Sequence, residues 1–128
     1  MSPHRHAILL VDDYADARDS METLIGLEGF AVVGVPNAAE ALAQLRGPDI
    51  AWCLIVLDWR LPDMTGGHFH EVVAADPKLA HIPVLVVTAD SRGAAEARRI
   101  GVRHVALKPI ETRTLLEVIR QHCSRSAA

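Results

Sequence analysis

Three carboxylates, one hydroxyl and one ammonium stand just past the ends of short apolar runs. Asp12 and Asp13 follow Ile8-Leu9-Leu10-Val11, and Asp58 follows Leu54-Ile55-Val56-Leu57. Thr88 follows Val84-Leu85-Val86-Val87, and Lys108 follows the run from Arg103 to Leu107. If these runs are strands of one sheet, the carboxylates converge and repel. A like pair at about 4 Å costs on the order of 4 kcal/mol at an effective dielectric near 20. Such a cluster calls for a cation. Oxygen ligands without His or Cys favour Mg2+ or a similar hard ion, held by one or two carboxylates, a carbonyl and waters. Lys108 adds a second positive charge. Singly, each residue has an ordinary use as a turn, a helix cap or a surface charge; five at the same ends of successive strands point to a site.

The elements needed to position them are legible. Apolar runs at His6 to Val11, Phe30 to Val35, Ala51 to Leu57, Ile82 to Val87 and Arg103 to Leu107 are bounded by Asp, Gly, Pro or Asn. Three are almost continuously apolar, as expected of parallel strands covered by helices on both faces. Between them lie stretches with helical spacing. Met21, Leu24 and Ile25 mark the first, which Gly29 stops. Asn37, with Glu40 three residues on, opens the second as an N-cap. The third is expected from about Gly67 to Ala75, and the fourth from about Ser91 to Ile100, closed by Gly101. Leu115, Leu116, Val118 and Ile119 form one face of the fifth. The pattern predicts an α/β fold, a flavodoxin-like (βα)5 three-layer sandwich with parallel strand order 2-1-3-4-5. Ligands are expected outside the carboxyl ends of the strands.

Length and composition agree with one domain over residues 1–128, its core at about 6–123 and its tail, Ser124 to Ala128, frayed. The 128 residues include 16 acidic and 13 basic ones, for a net charge of −3. The basic residues are scattered, which argues against direct nucleic-acid binding. Nothing approaches the roughly 20 apolar residues of a membrane span, and no signal peptide is evident. Cys53 and Cys123 read as free thiols of a reducing compartment, so a cytoplasmic setting is expected.

The segments Ile8-Leu9-Leu10-Val11-Asp12-Asp13, Leu57-Asp58-Trp59-Arg60-Leu61-Pro62-Asp63-Met64-Thr65-Gly66, Val87-Thr88-Ala89 and Lys108-Pro109 come in this order across essentially the whole chain. The chain resembles the receiver domains of two-component response regulators. The resemblance implies that Asp58 is the acceptor of a phosphoryl group from a phospho-histidine on a sensor histidine kinase or histidine phosphotransfer protein. It also implies that Asp13, Asp58 and the Arg60 carbonyl bind Mg2+ directly, with Asp12 helping through water. Thr88 and Lys108 would contact phosphoryl oxygens, and the Lys108–Pro109 peptide would be cis. Such a protein is a signalling phospho-switch rather than a conventional enzyme. It assists its own phosphorylation and dephosphorylation, and its downstream protein target is not readable from the sequence. The kinase is expected to approach the first helix, Ala15 to Glu22, and the loop after Lys108. The chemistry fits: phosphoryl transfer asks mainly for positioning and charge neutralisation.

Four features depart from the family pattern or stand outside it. Val105 occupies the usual position of a switching Tyr or Phe, which puts any switching onto the backbone near the fourth helix or onto His104. Arg60 and Asp90 occupy the positions flanking the phosphoryl group and are expected to face each other and restrict water. His4/His6 and His68/His70 have His-x-His spacing without further ligands, so no transition-metal site is expected there. Trp52 and Trp59 read as packing residues.

Other functions fit less well. A phosphatase of the haloacid-dehalogenase type needs an acid two residues after its nucleophile, where this chain has Arg60. A nucleotide site needs a glycine-rich loop after the first strand, where this chain has Asp12-Asp13-Tyr14-Ala15-Asp16. A receiver fold kept only for protein contacts would not need all five site residues.

Overall fold

The computed structural model of the protein describes residues 5–47 and 50–125; His4 and residues 126–128 of the expected frayed tail lie outside them. Strands and helices alternate throughout. In chain order they are β1 Arg5–Val11, α1 Ala15–Leu27, β2 Val32–Val35, α2 Ala38–Arg46 and β3 Ile50–Leu57, followed by α3 Gly66–Ala75, β4 Val84–Thr88, α4 Ser91–Arg99, β5 His104–Leu107 and α5 Thr112–His122. The sheet is parallel with order β2-β1-β3-β4-β5, the order expected.

Because successive strand residues point to opposite faces, each apolar run is divided between two cores. Leu9, Val11, Ile55, Leu57 and Val86 meet Ala41 and Leu45 of α2, Phe69 and Val73 of α3 and Ala97 of α4. Ile8, Leu10, Leu54, Val56, Leu85 and Val87 meet Ile25 of α1 and Leu115, Leu116, Val118 and Ile119 of α5. Each such fully buried aliphatic side chain contributes about 1.5–3 kcal/mol relative to exposure. This two-sided burial explains the continuous apolar runs.

The element ends differ slightly from expectation, for local reasons. Phe30 does not start β2, because its N–H bonds the Ile25 carbonyl and closes α1. Ile82 does not start β4, because its N–H closes a turn onto Leu79. Thr88 is the last residue of β4, in register with Leu107, rather than the first beyond it. Gly29 and Gly101 do end α1 and α4, at φ of 93° and 99°, where a side chain would be strained. Asn37 caps α2 by accepting from the Glu40 N–H at 2.8 Å.

A second cap on α2 was not foreseen. The Asp63 carboxylate, from the β3–α3 connection, accepts from the Ala38 and Ala39 N–H groups at 3.0 and 2.9 Å. These two bonds hold its pKa below the usual aspartate value, with Ala38 the larger influence. They also place a negative charge at the helix N-terminus.

The free-thiol expectation is wrong. Cys53 on β3 and Cys123 at the end of α5 form a disulfide, their Cα atoms 5.3 Å apart. Two cysteines separated by 70 residues carry no spacing signal. Only the packing of α5 across β3 brings them together.

Trp52 and Trp59 are both buried, as expected of packing residues. Trp59 does more: its indole N–H donates to Glu96 of α4 at 2.6 Å. Its ring lies so close to α3 and α4 that a Cβ on Gly66 would fall 2.6 Å from it, and one on Gly93 2.7 Å. At Gly66 the Trp59 carbonyl would also be only 2.8 Å away, and backbone cannot swing aside. Gly66→Ala is therefore expected to destabilise the fold by about 1–3 kcal/mol through overpacking. Urea unfolding checks this, and a Gly66→Ala protein as stable as the parent would refute it.

Candidate functional site

The parallel order places the carboxyl ends of β1, β3, β4 and β5 along one edge of the sheet, and the five expected residues sit there. Asp12 and Asp13 follow β1, Asp58 follows β3, Thr88 ends β4 and Lys108 follows β5. Asp12 is buried, Asp58 half-buried and Asp13 exposed. Each of the three offers a carboxylate oxygen, and these oxygens all lie within 4.8 Å of one another.

Lys108 neutralises part of this charge. Its Nζ donates to Asp12 Oδ2 at 2.8 Å and to Asp58 Oδ2 at 3.1 Å. Burial pushes its pKa down, but the hydrogen bonds to Asp12 and Asp58 and their charges outweigh burial, so the net shift is upward. Its own N–H donates to the Thr88 carbonyl at 2.9 Å, which ties the ends of β4 and β5 together. The Lys108–Pro109 peptide is cis, as the resemblance implied.

Thr88 is fully buried as a residue. Its Oγ1 accepts from the Asp90 N–H at 3.2 Å, which leaves its own O–H free to donate. It borders a cavity of about 550 Å³ together with Asp13, Asp58, Arg60 and Asp90. The Arg60 N–H donates to Asp58 Oδ1 at 3.1 Å, bracing the carboxylate from below. At the rim, Arg60 Nε lies 3.4 Å from Asp90 Oδ2, so these two do face each other. Asp90 is held in place because its other oxygen caps α4, accepting from Arg92 N–H at 3.1 Å.

The donor set fits a hard divalent ion: three carboxylates, no nitrogen or sulfur ligand, and open volume beside them. Among the described residues this is the only group of three ligand-type side chains within binding reach of one another. Among the described residues the His-x-His spacings form no comparable group. His68 is exposed and pairs with Glu71 at 3.6 Å, His6 is exposed, and His4 lies outside the described residues.

Comparison with known proteins decides the family. The response regulator receiver domain pattern matches residues 8–120. The chain belongs to the response regulator receiver domain family. It is 33% identical over 117 residues to the chemotaxis protein CheY of Pseudomonas aeruginosa, covering 89% of this chain and 93% of that protein. It is 32% identical over 117 residues to the response regulator protein FleR of the same organism, but there covers only 24% of the relative. The same unit therefore occurs nearly alone and inside longer regulators. A CheY-like receiver domain protein from Methanospirillum hungatei has the same architecture, with a TM-score of 0.78 at 27% identity over 91% of this chain and 92% of that one. This is a CheY-like receiver domain of two-component signalling, a family that works with sensor kinases or phosphotransfer proteins.

Val105, at the position where receivers usually carry an aromatic, is a half-buried residue of β5 packed against the α2–α3–α4 core. Sequence reading missed three parts of this neighbourhood: Asp63 as a helix cap, Glu96 as the partner of Trp59, and the tie between Asp90 and Thr88. Asp63 lies within the Leu57 to Gly66 segment, but its partners on α2 do not. No helix among the described residues is long and apolar enough to cross a membrane.

Proposed function

We propose that Asp58 is the phosphoryl acceptor of a Mg2+-dependent phospho-switch, and that the whole of residues 1–128 acts as this one unit. The observation that carries the proposal is the half-buried Asp58 carboxylate, hydrogen-bonded to Lys108 and within ligand distance of Asp12 and Asp13. An Asp58 oxygen attacks the phosphorus of a phospho-histidine, the P–N bond breaks, and its electron pair leaves with the imidazole, which takes up a proton. Asp13, Asp58 and the Arg60 carbonyl would hold Mg2+, with Asp12 acting through water. Bound there, the ion would neutralise charge on the transferring oxygens. Lys108 pairs with another phosphoryl oxygen, exchanging its hold on Asp58 for one on the phosphoryl group. Thr88 turns its free O–H toward a third.

The product adds roughly −1.5 to −2 charge beside Thr88 and Lys108. Movement of either is felt by the other through the bond between the Lys108 N–H and the Thr88 carbonyl. It reaches α4 by two routes, Asp90 at its N-cap and Trp59 through Glu96. With Val105 in place of an aromatic, we assign output to these α4 contacts. Beside Lys108, α1 and α5 leave an apolar cleft of about 470 Å³ lined by Ala17, Met21, Leu24, Pro109 and Ile110. We propose it as the seat of the phosphodonor protein; the cytoplasmic setting we propose rests on that kinase partnership and not on the cysteines, which form a disulfide.

The test is incubation with acetyl phosphate and Mg2+ followed by intact-mass measurement. The protein should gain one phosphoryl group, and Asp58→Asn should gain none. Equal labelling of the variant would reject the assignment.

The Arg60–Asp90 pair closes the rim where water would approach the acyl phosphate. Exposed pairs of this kind hold by about 0.5–1 kcal/mol, so Arg60→Asn should speed loss of the phosphoryl group about two- to fivefold. Decay of the phosphorylated mass over time reads this, and an unchanged half-life would discard the gate.

A further inference from the structure

Opposite the acidic site, at the amino ends of β4 and β5, a second set of ligand-type side chains collects. His104, the first residue of β5, and His122, the last of α5, bring their Nε2 atoms to 3.1 Å. Their rings meet edge to face, with centroids 5.2 Å apart and planes at 68°. Both are half-buried. They line a cavity of about 250 Å³ with His70 of α3 and His81 of the α3–β4 connection.

Two imidazole nitrogens this close cannot both carry protons comfortably. As a hydrogen bond the contact needs one N–H and one lone pair, which requires at least one neutral ring. Among the described residues no carboxylate lines the cavity, and Arg103 does. Burial first, then His122 and then Arg103, hold the His104 pKa below the ordinary histidine value. Arg103 is exposed, so its charge is largely turned to water. Neutral imidazole is the form that binds metals. A tetrahedral ion with Zn–N bonds of about 2.0–2.1 Å sets its nitrogen ligands about 3.3–3.4 Å apart. The observed separation is a few tenths of an ångström from that.

We propose that His104 and His122 chelate a divalent transition-metal ion of the Zn2+ type through their Nε2 atoms, at the end of the sheet opposite Asp58. His70 and His81 line the same cavity but neither joins the pair within ligand reach, so water completes the coordination. Imidazole ligands favour Zn2+, Cu2+ or Ni2+ over Mg2+, which separates this site chemically from the acidic one. A bound ion would pin α5 to the edge strand beside Cys123.

The experiment titrates ZnCl2 into the oxidised protein in excess MgCl2, which loads the carboxylates, and follows heat, thermal midpoint and histidine ring NMR signals. One equivalent should bind, raise the midpoint, and shift the His104 and His122 rings first. His104→Gln and His122→Gln should each weaken binding at least about tenfold, the minimum cost of disturbing even an outer-shell partner. Circular dichroism and acetyl phosphate labelling should be unchanged. Wild-type zinc affinity in both variants, or zinc shifting other histidines while leaving these two alone, would overturn the site. The ring signals of the unmodified protein decide the matter even if a variant folds poorly. Failed labelling at Asp58 would leave this result untouched.

Discussion

Reduction of the Cys53–Cys123 bond is expected to lower the free energy of unfolding by about 4 kcal/mol, roughly a thousandfold in the folding equilibrium. The bond closes a loop across a sequence separation of 70 residues. A loop of that size removes much chain entropy from the unfolded state, which is the main source of the effect. The folded state loses little on reduction, because Leu115, Leu116, Val118 and Ile119 still bury α5 against the sheet. Native circular dichroism should therefore survive reduction while the urea midpoint falls. Since domains of this size hold only about 5–15 kcal/mol in total, the reduced protein would be marginal. Cys123→Ser should match the reduced parent and show no further response to reductant. Identical urea midpoints for oxidised and reduced protein would show that the bond does not constrain the chain. In a reducing compartment, this stability difference would follow the redox state of one pair of thiols.

Replacing Lys108 by Met should slow phosphorylation by acetyl phosphate about 10²–10³-fold, the usual effect of removing one preorganised donor from a developing oxyanion. The same substitution should tighten Mg2+ binding. Lys108 donates to Asp12 and Asp58, so it competes with any cation for those oxygens, and its removal leaves three carboxylates without a resident positive charge. Slower chemistry with tighter metal binding separates a charge role from a merely structural one, which would weaken both. The pH dependence follows from the raised pKa of Lys108. A group whose pKa rises on folding contributes fully below its unfolded value and loses its contribution only as pH climbs through the folded one. The differences between parent and variant should therefore be flat across neutral pH and shrink only above the ordinary lysine pKa. Mg2+ titration and labelling rates over a pH series measure both, and a difference that disappears near neutrality would exclude this account of the ion pair.

The elements of this protein read correctly from sequence share one property: their cause is local. Apolar runs bounded by Asp, Gly and Pro announced the strands. The three-and-four spacing of Met21, Leu24 and Ile25 announced a helix, and Asn37 with Glu40 announced its neighbour's cap. Where strand ends were misplaced, a single hydrogen bond decided: Phe30 to Ile25, and Ile82 to Leu79. The pairing of Arg60 with Asp90 was anticipated only because, in the family the chain resembles, both positions flank the phosphoryl group.

From sequence alone came the five-residue edge at Asp12, Asp13, Asp58, Thr88 and Lys108, since alternating parallel strands and helices leave their carboxyl ends together. The cysteine bond, the Asp63 cap on α2, the Trp59–Glu96 contact and the His104–His122 pair were decided by tertiary structure. Each joins side chains from different elements, at separations with no period or motif. Such contacts depend on how far a helix slides along the sheet and which way it turns, and that is set by the packing of both cores at once.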